Sequence, residues 1–305
     1  MELATAKDYL WLHLVVLIWG FTAVLGLLIS LPPVEIVIYR TFLASAGLFI
    51  LIKLKKRPAA VSWSNFGKFL LTGGLIGAHW ILFFWAAQVS TASVCLAGMA
   101  TCTLWTAIIE PLVNREPIKW YEIFLGLLVI VGLIVIFKFE TGYWLGLSMA
   151  VFSALIGAIF TVVNGRLIKS SSPFVITLYE MMGACLAAML FLPLYAAYFS
   201  EGSISWLPSA QDWFWLLILS QVCTVFAFTA SVNLMKRVTA FAINLTINME
   251  PVYGILLAVL VFGEKEKMTP GFYLGTVIIL SSVFLYPVIQ YALKKKMTRQ
   301  LRRLQ

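Results

Sequence analysis

Apolar stretches long enough to cross a lipid bilayer follow one another along nearly the whole of this 305-residue chain. Hydrophobic residues make up 62% of the sequence and charged residues 11%, whereas soluble domains have about 45 to 50% and about 25%. A helix needs about 20 apolar residues to cross the hydrocarbon core. Because backbone groups in lipid must be satisfied within their own segment, the sequence predicts an all-α integral membrane protein.

Ten such spans with short connections account for the chain and leave no room for a soluble domain. The first is expected to be an uncleaved helix rather than a signal peptide, because no small-residue cleavage site precedes the next polar break. The predicted spans are residues 10–29, 34–53, 66–87, 91–113 and 120–138, followed by 143–167, 173–199, 213–234, 239–262 and 270–292.

Basic residues are distributed unevenly between the two sides of this ladder of spans. Of the 22 Lys and Arg residues, 18 fall on one side, 3 (Lys138, Lys265 and Lys267) on the other, and Arg40 lies inside a span. Cytoplasmic loops carry the excess of basic residues, so both termini are predicted to be cytoplasmic. Membrane topology and anionic lipid, which the basic run 294–303 is predicted to contact, explain the net charge of +9 better than nucleic acid does.

Two parts of the sequence repeat. Residues 91–116 and 239–264 both begin with Thr-Ala and end with Glu, 148 positions apart. Residues 33–40 and 173–180 both begin with Pro and carry Tyr in seventh place, 140 positions apart. The chain is therefore predicted to consist of two homologous halves.

The halves are predicted to be residues 1–140 and 141–305, with five spans each. An odd number of spans inserts the second half upside down relative to the first. Inverted repeats are typical of transporters, whose binding site lies near mid-membrane between the halves.

Short motifs in the same order also resemble the EamA family of the drug/metabolite transporter superfamily. They are Trp19-Gly20, the Pro-rich start of the second span with Tyr39-Arg40, and the endings Arg115-Glu116 and Gly263-Glu264. The resemblance implies a ten-helix carrier in two inverted five-helix halves, placed in a bacterial inner membrane and exporting amino acids or related metabolites. The first half departs from the pattern, since Arg115 replaces the usual Gly.

Glu250 is the acidic residue predicted to lie closest to the membrane midplane. It follows Thr239 by eleven residues, or about 16 Å of helix. Desolvation at that depth favours the neutral form of a carboxylate, so Glu250 is a candidate for proton coupling. The alternative is a Glu that is hydrogen-bonded to a neighbouring helix and holds the two together.

Arg40 and Glu180 occupy equivalent positions in the two halves. Arg40 could hold a carboxylate or phosphate in bidentate fashion, and Glu180 could meet an amine, so that together they would suit a zwitterion. The equally open alternative is an Arg40–Glu180 pair that only fixes helix packing.

Aromatic and amide side chains complete the predicted binding site, although such faces also serve helix packing. These residues are Trp19, Tyr39, His79, Trp80, Trp105, Asn164, Tyr179, Gln221 and Asn244.

The sequence contains no Walker motif and no catalytic constellation of the metalloprotease or Gly-x-Ser-x-Gly kind. The four Cys residues show no metal-ligand spacing. We therefore expect a carrier without cofactor or metal that binds a small molecule and, through Glu250, protons. Amino acids fit the mixed inventory of side chains, and drug-like amphiphiles, nucleosides, sugars and lipids remain alternatives.

Overall fold

Helices make up almost all of the chain that a computed structural model describes, residues 4–139, 141–199, 207–266 and 268–304. No strand occurs in these ranges, so the all-α prediction is confirmed. Lys267, the predicted boundary at residue 140 and most side chains of the basic run 294–303 lie outside the described part. The α-helices are α1 Ala6–Leu28, α2 Pro33–Leu54, α3 Trp63–Val89, α4 Ala92–Met99, α5 Cys102–Asn114, α6 Trp120–Phe139, α7 Trp144–Leu167, α8 Pro173–Tyr198, α9 Ala210–Leu217, α10 Ala227–Leu234, α11 Ala240–Ile247, α12 Glu250–Phe262 and α13 Pro270–Leu304.

Nine helical segments of the described chain are long and apolar enough to cross a membrane. Three of them combine shorter elements: α4 with α5, α11 with α12, and α9 with α10 through the π-helical stretch Ile218–Phe226. Within α6, the apolar part Trp120–Ile136 is shorter. The protein is therefore a multi-pass membrane protein.

The two spans predicted at residues 91–113 and 239–262 are each broken. The first breaks at Ala100-Thr101 and the second at Asn248-Met249, again 148 residues apart. At both breaks the backbone forms hydrogen bonds of the 3₁₀ type. The Ala100 N–H donates to Ala97 O at 3.2 Å, and the Asn248 N–H donates to Leu245 O at 3.1 Å. The predicted spans are present, but apolar character does not distinguish a helix from a tight turn that is buried in protein, so it could not locate the breaks.

The repeated Thr residues have the same structural role in both halves. The Thr91 hydroxyl accepts a hydrogen bond from the Val94 N–H at 3.1 Å, and the Thr239 hydroxyl accepts one from the Ala242 N–H at 3.2 Å. Each Thr is therefore the N-cap of the first part of a broken span.

Equivalent helices of the two halves pack antiparallel. The C-terminal end of α2 lies on the N-terminal end of its counterpart α8, with Lys55 Nζ 5.0 Å and Arg57 Cζ 5.1 Å from the ring centroid of Phe174. Tyr121 near the start of α6 likewise accepts a hydrogen bond, at 2.9 Å, from Gln290 near the end of the apolar part of α13. This is the relation that an inverted repeat requires.

Glycines bring α3 and α8 unusually close together. A Cβ atom on Gly73 would overlap the carbonyl oxygen of Glu180, and one on Gly183 would overlap that of Leu70. Only glycine permits such an approach of two helix backbones. The crossing therefore fixes Glu180 inside the α3–α8 interface.

Two polar clusters tie α1 to the α9–α10 span, one at each end. We call them the Asp8 latch and the Asp212 latch. In the Asp8 latch, Arg237 Nη2 lies 2.8 Å from Asp8 Oδ1. In the Asp212 latch, the carboxylate accepts hydrogen bonds from the Ser30 N–H at 2.7 Å and the Ser30 hydroxyl at 2.8 Å.

Candidate functional site

A cavity lies between the two halves of the chain, and both halves contribute to its wall. Its volume of about 80 Å³ compares with the roughly 10 to 15 Å³ that one water needs. It therefore has room for several waters or for part of a small ligand. Six residues of the predicted site line it: Trp19, Arg40, His79 and Trp80 from the first half, and Asn244 and Glu250 from the second.

Arg40 reaches the cavity from α2 and is held from two sides. Its side chain is 2% exposed, its Nε donates a hydrogen bond to the Thr224 hydroxyl at 2.8 Å, and its Cζ lies 3.6 Å from the ring centroid of Trp80. The Thr224 hydroxyl in turn donates a hydrogen bond to Leu219 O at 2.9 Å, five residues back, as the π-helical stretch allows. The guanidinium is thereby oriented, and its Nη groups make no hydrogen bond within the described chain.

Glu250 is the first residue of α12 and lines the same cavity with 7% of its surface exposed. No ion pair joins it to Arg40 within the described residues. The positive end of the α12 dipole stabilises negative charge at this position. Pro251 is also in the first helical turn, where its missing N–H leaves no intrahelical bond unmade.

His79 on α3 presents one ring nitrogen to the protein and leaves the other available. Its Nδ1 lies 2.8 Å from the Ser153 carbonyl oxygen, which can only accept, so Nδ1 carries the hydrogen. The Ser153 hydroxyl donates to the His79 carbonyl at 2.8 Å and completes the contact. In the neutral ring, Nε2 is therefore an acceptor that faces the cavity.

Cys102 is the repeat counterpart of Glu250, 148 residues earlier. It is the first residue of α5, as Glu250 is of α12, and it lines the same cavity. Sequence reasoning considered this Cys only as a possible metal ligand and missed its position. The offset of 148 residues from Glu250 is the signal that could have identified it.

Asn244 lines the cavity and also joins the two broken spans. Its Nδ2 donates to the Thr106 hydroxyl at 2.7 Å, and Asn248 Nδ2 donates to the Thr103 hydroxyl at 3.0 Å. The Thr103 hydroxyl in turn donates to Asn244 O at 3.3 Å. This ladder fixes α5 against α11, so the hydrogen-bonding capacity of Asn244 is partly committed to packing.

Six residues of the predicted site lie outside the cavity: Tyr39, Trp105, Asn164, Tyr179, Glu180 and Gln221. Tyr39 packs edge-on against Trp213 with ring centroids 5.4 Å apart. The Tyr179 hydroxyl donates to Ala59 O at 3.0 Å, and Gln221 Nε2 donates to Leu43 O at 3.0 Å. These contacts commit the three side chains to packing.

Arg40 and Glu180 do not form the ion pair considered from the sequence. Glu180 is 0% exposed, and its carboxylate lies beside the amide of Asn164, which is equally buried. The structure therefore separates the two repeat-equivalent residues, one in the cavity and the other in a helix interface.

Aromatic rings from both halves form the apolar wall. Phe160 lies edge-on to His79 with ring centroids 5.2 Å apart, and Phe228 approaches Trp80 in the same way at 6.0 Å. Among the described residues, no group of three His, Cys, Asp or Glu side chains could hold a metal ion. The site can thus bind through charge, hydrogen bonds and aromatic faces.

Comparison with known proteins assigns this architecture to a family. The family model described as the EamA-like transporter family matches residues 6–138 and 144–286. A crystal structure of another protein superposes with a TM-score of 0.71 at 15% sequence identity, covering 95% of this chain and 99% of that chain, which shows a shared fold. No curated protein matches the chain.

Proposed function

Because the chain belongs to the EamA-like transporter family, we propose that it is a secondary carrier that exports amino acids or related small metabolites by alternating access. The observation that carries the proposal is the shared cavity, where Arg40 and Glu250 come from different halves and are not paired with each other. Charged groups within a membrane are costly and usually serve function.

The chemistry of the wall suits a small zwitterion. The open Nη groups of Arg40 match a carboxylate in bidentate geometry, while Glu250 and the acceptor Nε2 of His79 can receive an ammonium group. Aromatic faces such as Trp19 cover the remaining wall and attract apolar or cationic side chains. An α-amino acid combines all of these groups.

Alternating access is supported by the two latches. The Asp8 and Asp212 latches join the same two spans at opposite ends, and both are closed in this structure. Opening one while the other stays closed would expose the cavity to one side only. Proton uptake by Glu250 would remove its attraction for a bound ammonium group and so couple release to protons.

We also propose the topology. In this arrangement α6 also crosses the membrane and brings the number of spans to ten. Residues 1–140 and 141–305 are the two inverted repeats, and both termini are cytoplasmic. Clustering of Lys7, Lys55, Arg57, Lys236 and Arg237 around one groove supports a single basic face. The bacterial inner membrane is the location that the family resemblance favours.

Counterflow of radiolabelled amino acids into proteoliposomes tests the proposal. Glu250→Gln keeps the shape of the side chain and removes its titration, so we expect the pH dependence of counterflow to flatten. Glu116→Gln, at an exposed position after α5, is the matched control and should keep the wild-type profile.

Two results would count against the proposal. An unchanged rate and pH profile in Glu250→Gln would remove Glu250 from the mechanism. Counterflow of nucleosides, sugars or amphiphiles, with none for amino acids, would overturn the substrate class and leave the carrier mechanism standing.

A further inference from the structure

A second, larger recess opens at the basic end of the molecule, away from the central cavity. We call it the basic groove. It is lined by the start of α1, the end of α2, the start of α8 and the end of the α9–α10 span, and its volume is about 880 Å³. None of the residues that line it belongs to the wall of the central cavity.

Positive charge dominates the basic groove. Five cationic side chains line it, against the single carboxylate of Asp8, which Thr5 and Arg237 already engage. Lys55 and Arg57 lie over the ring of Phe174 at 5.0 and 5.1 Å and have no acidic partner in the described chain. The groove therefore has a net positive charge, and Phe174 positions two of its cations.

The groove continues into an apolar outer wall. Trp11 and Phe226 line it, pack with ring centroids 6.3 Å apart, and are 39% and 43% exposed. Trp is favoured where headgroups meet acyl chains. A ligand that fits both parts is anionic at one end and apolar at the other.

We propose that the basic groove is a binding site for an anionic phospholipid. The phosphate lies among Lys55, Arg57 and Lys236, and an acyl chain runs along Trp11 and Phe226. This site is independent of the transported substrate. Because the groove is lined by α1 and the end of the α9–α10 span, a bound lipid bridges the two spans that carry the Asp8 latch.

Thermal unfolding of the purified full-length protein in neutral detergent tests the site. The titrants are dioctanoyl phosphatidylglycerol, dioctanoyl phosphatidylcholine and inorganic phosphate, since a ligand of the folded state raises the apparent midpoint. Only phosphatidylglycerol should stabilise the wild type at low concentration. Each basic residue near a membrane surface is worth about fivefold in anionic lipid affinity, so Lys55→Gln with Arg57→Gln should weaken binding about 30-fold.

The matched control is Lys68→Gln with Lys169→Gln, which removes two exposed cations outside the groove. A loss as large as that of the groove variant would overturn the site in favour of diffuse surface charge. Equal stabilisation by inorganic phosphate would overturn the lipid as the ligand, and equal stabilisation by phosphatidylcholine would overturn its anionic character.

Discussion

The two latches predict opposite changes in access to the central cavity. In the Asp212 latch, two hydrogen bonds join the carboxylate to Ser30, at 2.7 and 2.8 Å. Hydrogen bonds to a charged group contribute about 1.5 to 3 kcal/mol each, and the lower value applies because Ser30 is exposed to water, so Asp212→Ala should remove about 3 kcal/mol of closure. This shifts the closed-to-open ratio at that end by about 100-fold. Ser30→Ala removes only the hydroxyl contact and should shift the ratio about tenfold.

Cys102 is a natural reporter of this change because it lines the cavity and is 5% exposed. Cys95, Cys185 and Cys223 would be replaced by Ala, and a membrane-impermeant maleimide added to vesicles of known orientation. Asp212→Ala should raise the rate of Cys102 labelling from the side where α9 begins.

Asp8→Ala is the mirror test, because it breaks the contact with Arg237 and should raise labelling from the basic side. The reasoning would be refuted if both variants raised labelling from the same side, or if Ser30→Ala exceeded Asp212→Ala. A Cys102→Ala version of each variant must remain unlabelled, which shows that the signal comes from the cavity.

Three further predictions concern single backbone positions. Gly73→Ala should abolish folding or lower the midpoint severely, since a Cβ there overlaps the Glu180 carbonyl, whereas Gly74→Ala, with its nearest neighbour at 3.9 Å, should behave like the wild type in size-exclusion chromatography and thermal scans. Arg115 ends α5 with φ 57° and ψ 41°, so Arg115→Gly should stabilise by about 1 kcal/mol. Gly263→Ala, at the equivalent position with φ 60° and ψ −127°, should destabilise by more than that. A higher midpoint for Gly263→Ala would contradict the backbone argument.

The helix starts could be predicted because they depend on local chemistry. Pro33 and Pro173 begin α2 and α8, and Thr91 and Thr239 cap α4 and α11. Each signal acts within one turn and needs no knowledge of neighbouring helices. The breaks after α4 and α11 could not be predicted in this way, because their unusual hydrogen bonds are tolerated only where other helices bury them.

The sequence could not show which half of the predicted site residues line the cavity, because a position in the repeat fixes the depth of a residue but not the direction in which its side chain points. Arg40 and Glu180 share a position in the repeat, yet they meet different neighbours. The Glu180 backbone lies against Gly73 of α3, and its buried carboxylate lies beside Asn164 of α7. Arg40 faces the π-helical stretch of the counterpart span, where Thr224 accepts its Nε.

The same asymmetry recurs at the breaks, where Glu250 in one half corresponds to Cys102 in the other. The helix breaks are thus repeated in both halves, while each equivalent pair places one charged group in the cavity and replaces or buries its partner. Two full sets of charges in a cavity of about 80 Å³ would pair with each other, and buried pairs satisfy themselves rather than a ligand. The unrepeated side chains thus leave one cation and one acid in the cavity, which form no ion pair with each other among the described residues.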